Sequence, residues 1–281
     1  MKVEAFAPAK INLTLHVTGL RADGYHLLDS LVVFADIGDM IHARRARDYS
    51  LSVDGPYSSG IPTDDSNLVV AAAKLFGPDC PSELHLVKNL PAASGIGGGS
   101  SDAAATLRAM SDLWGRPLPK GGAVLALGAD VPVCQVAGSV RMRGVGEKLT
   151  PISTPKLHMV LVNPGVSMPT PKVFSALTSK DNAPMPAEMP SWSNGAEFCI
   201  WLARQRNDLQ AAAVSLLPAI ADVIAAFSDT SGCLLARMSG SGATCFGLYS
   251  DAADAVSAQD ALRSKHPHWW VQATCSISGL N

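Results

Sequence analysis

Ile11, Leu13, Leu15 and Val17 alternate with Asn12, Thr14, His16 and Thr18, the period-two pattern of a half-buried strand. Shorter apolar runs predict further strands over residues 31–34, 40–43, 51–53, 84–87 and 139–143. A helix is predicted over 67–76, capped by Ser66 and closed by Gly77. A second helix starts at Ser100–Ser101 and runs to Trp114, with Gly115 just past its end. The stretch 197–227 is helical in character, broken at Asn207–Asp208 and reopened at Pro218. A strand over 233–238, a glycine turn, a strand over 244–249, a helix over 252–263 and a strand over 269–277 complete the chain. The pattern is α+β, with mixed, mostly antiparallel sheets and helices packed on one face. Prolines crowd residues 150–190. A domain boundary is predicted near 150–155, giving domains of 1–153 and 154–281, with 178–195 a loop of small and polar residues.

The 281 residues, 47% hydrophobic and 16% charged, can bury a sizeable core without disulfides. A net charge of −2 argues against nucleic acid or an anionic membrane as the main partner. Six cysteines without a C-x-x-C pair read as free, mostly buried thiols of a reducing compartment. No apolar run has membrane length, and Pro8 and Lys10 interrupt any signal-peptide core. The expectation is a soluble cytoplasmic protein.

Residues 91–102 read Pro-Ala-Ala-Ser-Gly-Ile-Gly-Gly-Gly-Ser-Ser-Asp and lead straight into the Ala-rich helix. Gly95, Gly97, Gly98 and Gly99 remove the side chains that would keep an anion from the backbone N–H groups. Ser100 and Ser101 add hydroxyls, and the helix N-terminus adds partial positive charge. The loop suits phosphate, yet no lysine follows the glycines as it would in a P-loop. A second glycine turn, Ser239-Gly-Ser-Gly-Ala243, raises the case for a nucleotide held between the two loops. Asp130, among small and apolar residues, is either a turn acid or a buried carboxylate, and Lys10 is a candidate counter-ion. His266 and His268 lack a third metal ligand nearby. Arg44, Arg45 and Arg47 read as a solvated loop, and Arg141 and Arg143 as the surface face of a strand.

Pro8-Ala-Lys-Ile-Asn12, the Gly-Gly-Gly-Ser-Ser loop and Ser239-Gly-Ser-Gly-Ala243, in this order, resemble the three motifs of the GHMP kinases. One branch of that family is marked further by Arg21-Ala-Asp-Gly-Tyr-His-Leu-Leu28, Lys88-Asn-Leu-Pro91, Gly128-Ala-Asp-Val-Pro-Val133, Gly144-Val-Gly-Glu147 and Val166-Ser-Met-Pro-Thr-Pro171. Residues 180–206 carry no recognisable motif.

The resemblance implies an N-terminal ATP-binding domain and a C-terminal domain that closes the substrate cleft. It implies ATP-dependent phosphorylation of the C2 hydroxyl of 4-diphosphocytidyl-2-C-methyl-D-erythritol, an isoprenoid precursor of the non-mevalonate pathway, with no nucleic acid or membrane partner. Asp130 matches the catalytic aspartate and Lys10 its partner. Pro91, Gly95, Ile96, Gly97, Gly98, Gly99, Ser100 and Ser101 match the triphosphate loop, and Asn67 and Lys88 lie near the adenosine. Tyr25, His26, Thr170, Pro171 and Phe174 match the cytidine site, and Asn12 the substrate's polar contacts. Mg²⁺ would bridge phosphate oxygens, with Ser101 or Asp130 contributing. Two other readings stand beside this one. The first is a GHMP kinase for homoserine, mevalonate or a sugar. The second is a sensor that binds nucleotide without transfer.

Overall fold

A computed structural model describes residues 2–280. In chain order the elements begin with β1 (Lys2–Asn12), β2 (His16–Leu20), β3 (His26–Arg45), β4 (Ser50–Asp54), α1 (Leu68–Lys74) and β5 (Ser82–Val87). There follow α2 (Gly98–Trp114), α3 (Gly122–Leu127), α4 (Val131–Val136), β6 (Val140–Gly144), β7 (Lys148–Pro151), β8 (His158–Asn163) and α5 (Thr170–Ser175). The rest are α6 (Gly195–Ala203), α7 (Leu209–Leu216), α8 (Ala219–Ser228), β9 (Cys233–Met238), β10 (Cys245–Tyr249), α9 (Ala252–Lys265) and β11 (Trp270–Ile277).

The chain forms two compact units that are not consecutive stretches. The first holds residues 1–10, 37–92 and 97–137, and the second holds 11–36, 93–96 and 138–281. In the first unit the distal part of β3 pairs antiparallel with β5, Met40 opposite Val87 through Arg45 opposite Ser82. β4 joins β5 in parallel. Ile41, Ala43, Leu84 and Leu86 are buried on one face by the period of two, with α1 and α2 packed together alongside. Arg44 and Arg45 belong to the end of β3 rather than to a solvated loop: Arg44 pairs with Glu83, and Arg45 lies over the Trp114 ring.

In the second unit β2 and β6 flank the proximal part of β3. β9, β10, β8 and β11 run side by side, all antiparallel. Their core gathers Val160, Val162, Val173, Leu209, Ile220, Val223 and Phe227. The break predicted at Asn207–Asp208 lies between α6 and α7, and Pro218 precedes α8.

The alternating segment 11–17 is not one half-buried strand. β1 ends at Asn12, β2 begins at His16, and both parities are buried. The polar side chains are accepted inside because they are hydrogen-bonded: Asn12 donates to Ser30 Oγ at 2.7 Å, and Thr14 Oγ1 accepts from Leu31 N at 2.8 Å. The cap of α1 is Asn67, not Ser66. Its Oδ1 accepts from Val69 N, while the Ser66 hydroxyl donates to Asp64. All six cysteines are free thiols. No single helix among the described residues is long and apolar enough to cross a membrane.

Candidate active site

The phosphate-loop features in the first unit start with Gly97. It is the N-cap of α2 with φ +66°, so the helix opens two residues earlier than predicted. A Cβ at Gly97 would stand 3.0 Å from the Lys10 Cβ, so the loop lies directly on the lysine stem. Gly99 is exposed, and a Cβ there would meet only Leu68 Cδ1 at 3.9 Å. The first turn of a 17-residue helix is thus open at Gly99, and the free N–H groups of a helix N-terminus suit phosphate.

Lys10 Nζ lies 2.6 Å from Asp130 Oδ2. The lysine side chain is 5% exposed and the aspartate side chain 37%. Asp130 is therefore neither simply a turn acid nor a buried carboxylate. It is held by a buried cation at one oxygen and is open to solvent. It occupies the N-cap position of α4 but makes no side-chain cap bond, which leaves the carboxylate to Lys10 and to whatever approaches.

Lys88 and Asn67 each bond groups of the protein. Lys88 Nζ bonds the carboxylates of Asp39 and Asp102, all three buried. Asp39 Oδ1 also accepts from Asn89 N at 2.6 Å and Leu90 N at 2.8 Å. The clasp fixes the chain where it enters the glycine loop. Asp102 and Asp39 outweigh the cost of burial and hold the Lys88 pKa above its ordinary value. Burial, with the neighbouring Asp39 charge, pushes Asp102 up to about 8 against the pull of Lys88. Asn67 uses its amide at both ends, accepting from Val69 N and donating to Pro62 O.

Ser101 is also committed. Its hydroxyl is buried and donates to Pro8 O at 2.7 Å, joining α2 to β1. Ser101 thus acts as a strut between the two elements through its hydroxyl hydrogen. Among the described residues no group of three or more His, Cys, Asp or Glu is placed to hold a metal.

In the second unit, Gly95 packs backbone to backbone against the second glycine turn. A Cβ at Gly95 would stand 2.6 Å from Gly242 O and 2.7 Å from Ser239 O. Ser239 Oγ donates to Gly95 O and accepts from Asn12 N, both at 3.1 Å. The turn braces the first loop at Gly95. Asn12, 1% exposed, belongs to this brace.

His26 stacks on Phe174 with centroids 4.6 Å apart and planes at 30°. His26 Nε2 is buried with no protein partner. Burial, then the Lys180 charge, holds the His26 pKa below its ordinary value, which keeps the ring neutral. Tyr25 is 58% exposed beside it in sequence. Thr170 and Pro171 open α5, the helix that carries Phe174, and Thr170 Oγ1 meets Ser241 Oγ at 2.8 Å.

Arg141 is not at the surface. It forms a buried bidentate pair with Asp29 and donates to the carbonyls of Met185, Pro186 and Ala187. Ala183 O accepts from Arg206, and Asn182 N donates to Val17 O. The segment that carries no motif is thus fastened as a strap. An arginine in a strand, paired with an aspartate 112 positions away, leaves no local signal to read.

Family models for the GHMP kinases N terminal domain and GHMP kinases C terminal match residues 67–139 and 193–268. A 4-diphosphocytidyl-2-C-methyl-D-erythritol kinase of Cereibacter sphaeroides is 56% identical over 271 residues, 96% of this chain and 97% of that one. A crystal structure of 4-(cytidine 5'-diphospho)-2C-methyl-D-erythritol kinase, 31% identical, matches with a TM-score of 0.78 over 99% of this chain and 100% of that chain. A homoserine kinase from Cytophaga hutchinsonii shares the fold at 18% identity and a TM-score of 0.70, over 99% of this chain and 95% of that chain. The chain belongs to the GHMP kinases and, within them, to the family of the 4-diphosphocytidyl-2-C-methyl-D-erythritol kinases.

Proposed function

We propose that this kinase transfers the γ-phosphoryl group of ATP to the C2 hydroxyl of 4-diphosphocytidyl-2-C-methyl-D-erythritol. The products are ADP and the 2-phosphate, on the non-mevalonate route to isoprenoid precursors. The observation that carries the chemistry is the Lys10–Asp130 pair at 2.6 Å, with its carboxylate open to solvent. Phosphoryl transfer needs neutralised phosphate charge, an in-line hydroxyl and an acceptor for its proton. Asp130 accepts that proton. Lys10, paired with it at 2.6 Å, holds the carboxylate fixed in direction. The N–H groups of the first turn of α2 and the open space at Gly99 hold the phosphates. Lys88 and Asn67 act on the nucleotide chiefly by shaping the loop and the α1 turn.

Mg²⁺, when bound, would supply charge neutralisation at the phosphates. Asp130 is the residue that would face it, since a phosphate-held Mg²⁺ needs only one or two protein carboxylates. Tyr25, His26 and Phe174 receive the cytosine: aromatic faces stack on a pyrimidine, and the unpartnered His26 Nε2 meets its edge. A sensor has no use for a proton acceptor paired with a buried lysine, so Lys10–Asp130 favours transfer over binding alone. The test is ADP release with 4-diphosphocytidyl-2-C-methyl-D-erythritol, homoserine and mevalonate as alternative acceptors. Turnover only with the first supports the reading. Equal or greater turnover with either of the others removes it.

A further inference from the structure

Lys10 and Asp130 sit on elements with separate supports. Lys10 is on β1, and Asp130 directly precedes α4, a helix of six residues. α4 packs against α2. What sets the 2.6 Å spacing must therefore tie β1, α2 and α4 together. Arg108, in the middle of α2, does so. One arm of its guanidinium donates to Phe6 O on β1 at 2.7 Å. The other donates to Cys134 O on α4 at 3.2 Å. Phe6 is four residues before Lys10, and Cys134 is four residues after Asp130. Cys134 N bonds Asp130 O, so the turn carrying Asp130 moves with the carbonyl that Arg108 grips.

The second tie from α2 to β1 repeats the geometry. Ser101 bonds Pro8 O, and Ser101 and Arg108 are seven residues apart, two turns on one side of the helix. Phe6 and Pro8 are two apart, on one edge of the strand. Arg108 alone reaches on to α4. The C-terminal carbonyls of a helix want a cation, and the rigid fork of arginine serves two carbonyls at once where lysine serves one.

We propose that Arg108 is a positioning residue for phosphoryl transfer: it fixes α4 against β1 and thereby sets the distance between Lys10 and Asp130. It touches neither reacting group. A displacement of about 1 Å at a catalytic group costs on the order of a hundredfold in rate. The inference rests on the proposed role of the Lys10–Asp130 pair.

The experiment compares wild type, Arg108→Met, Arg108→Lys and Met110→Ala. Met110 is buried on the same helix and bonds neither carbonyl, so it controls for lost stability. Arg108→Met is expected to lower kcat roughly ten- to a hundredfold, with KM for both substrates changed less than about threefold. Arg108→Lys should recover part of the loss, and Met110→Ala should keep kcat within about twofold while lowering Tm. A crystal structure of Arg108→Met, needing no turnover, should show the pair parted beyond 4 Å. If Arg108→Met does not fold, Arg108→Lys is read by the same kcat and spacing measurements. An intact 2.6 Å pair, or a kcat loss matched by Met110→Ala at equal stability, overturns the inference. A wild type inactive on the proposed substrate would sink the functional reading, while the measured spacing would still decide the role of Arg108.

Discussion

Gly99→Ala separates what the fold needs from what the ligand needs. Gly99 is the second residue of α2, has no positive φ, is exposed, and would place its Cβ in ordinary contact with Leu68 Cδ1 at 3.9 Å. The fold thus gives no reason for glycine here. Replacing a helical glycine by alanine stabilises by about 0.4–1 kcal/mol, through helix propensity and a less free unfolded chain. At about 2–4 °C per kcal/mol this raises Tm by roughly 1–4 °C. The same methyl would stand where phosphate oxygens must come to within hydrogen-bond distance of the first-turn N–H groups. A charge-assisted bond of about 1.5–3 kcal/mol is then lost, which raises KM for ATP roughly ten- to a hundredfold. KM for the diphosphocytidyl substrate should stay within about twofold. The assays are differential scanning calorimetry and steady-state kinetics on one preparation. A variant that is more stable yet keeps its ATP KM would show that Gly99 does not face the nucleotide, and the placement of the phosphates would have to be abandoned.

Asp130→Asn should lower single-turnover transfer at least about a hundredfold while ATP binding by calorimetry is unchanged, because the amide keeps the shape but accepts no proton. Phe174→Ala should raise KM for the diphosphocytidyl substrate about ten- to a hundredfold and leave that for ATP alone, since stacking on an aromatic ring contributes about 1–3 kcal/mol; equal effects on both would refute a pyrimidine role. Arg141→Met leaves Asp29 as a buried charge without a partner, so urea unfolding should report a loss of about 3–5 kcal/mol. The Asp102 pKa is raised on folding, so the native state binds more protons than the unfolded chain between about pH 4 and 8. This contribution to stability is full below pH 4 and is lost as pH rises towards 8. Asp102→Asn should flatten that slope in denaturation measured across the range, and an unchanged slope would assign the proton elsewhere.

The period of two and the glycine punctuation made much of the fold legible. The helix after the glycine loop and its stop at Gly115, the strands at 233–238 and 244–249, and the break at Asn207 all stand where local pattern places them. Lys10 and Asp130 were legible as a candidate pair, because a cation entering a strand and an acid among apolar residues each want a partner. What escaped depends on partners far apart in sequence. Asp39 shares the inward parity of Ile41 and Ala43, which could have flagged a buried carboxylate. Nothing local names Lys88 and Asp102 as its cluster. The burial of Asn12 and Thr14 on the supposedly wet parity follows from partners at the Ser239 and Ser30 hydroxyls and at the Met185 sulfur, which no alternation rule contains.

The interleaving of the two units bears on how the chain is made. The second unit begins with residues 11–36 but is finished only by the stretch 138–281. Asn12 waits for Ser239, 227 positions later, and Leu13 O waits for the guanidinium of Arg237. At about 5–20 residues per second, synthesis leaves that edge without its partners for roughly ten to forty-five seconds. During that time Ile11, Leu13, Leu15 and Val17, all buried in the finished protein, are exposed on the nascent chain. A fragment ending near residue 153 would keep that exposure permanently, with Val17 N deprived of Asp208. Such a truncation is expected to be captured by chaperones or to aggregate, and the intact chain to need shielding of its first strands until the ribosome releases its last.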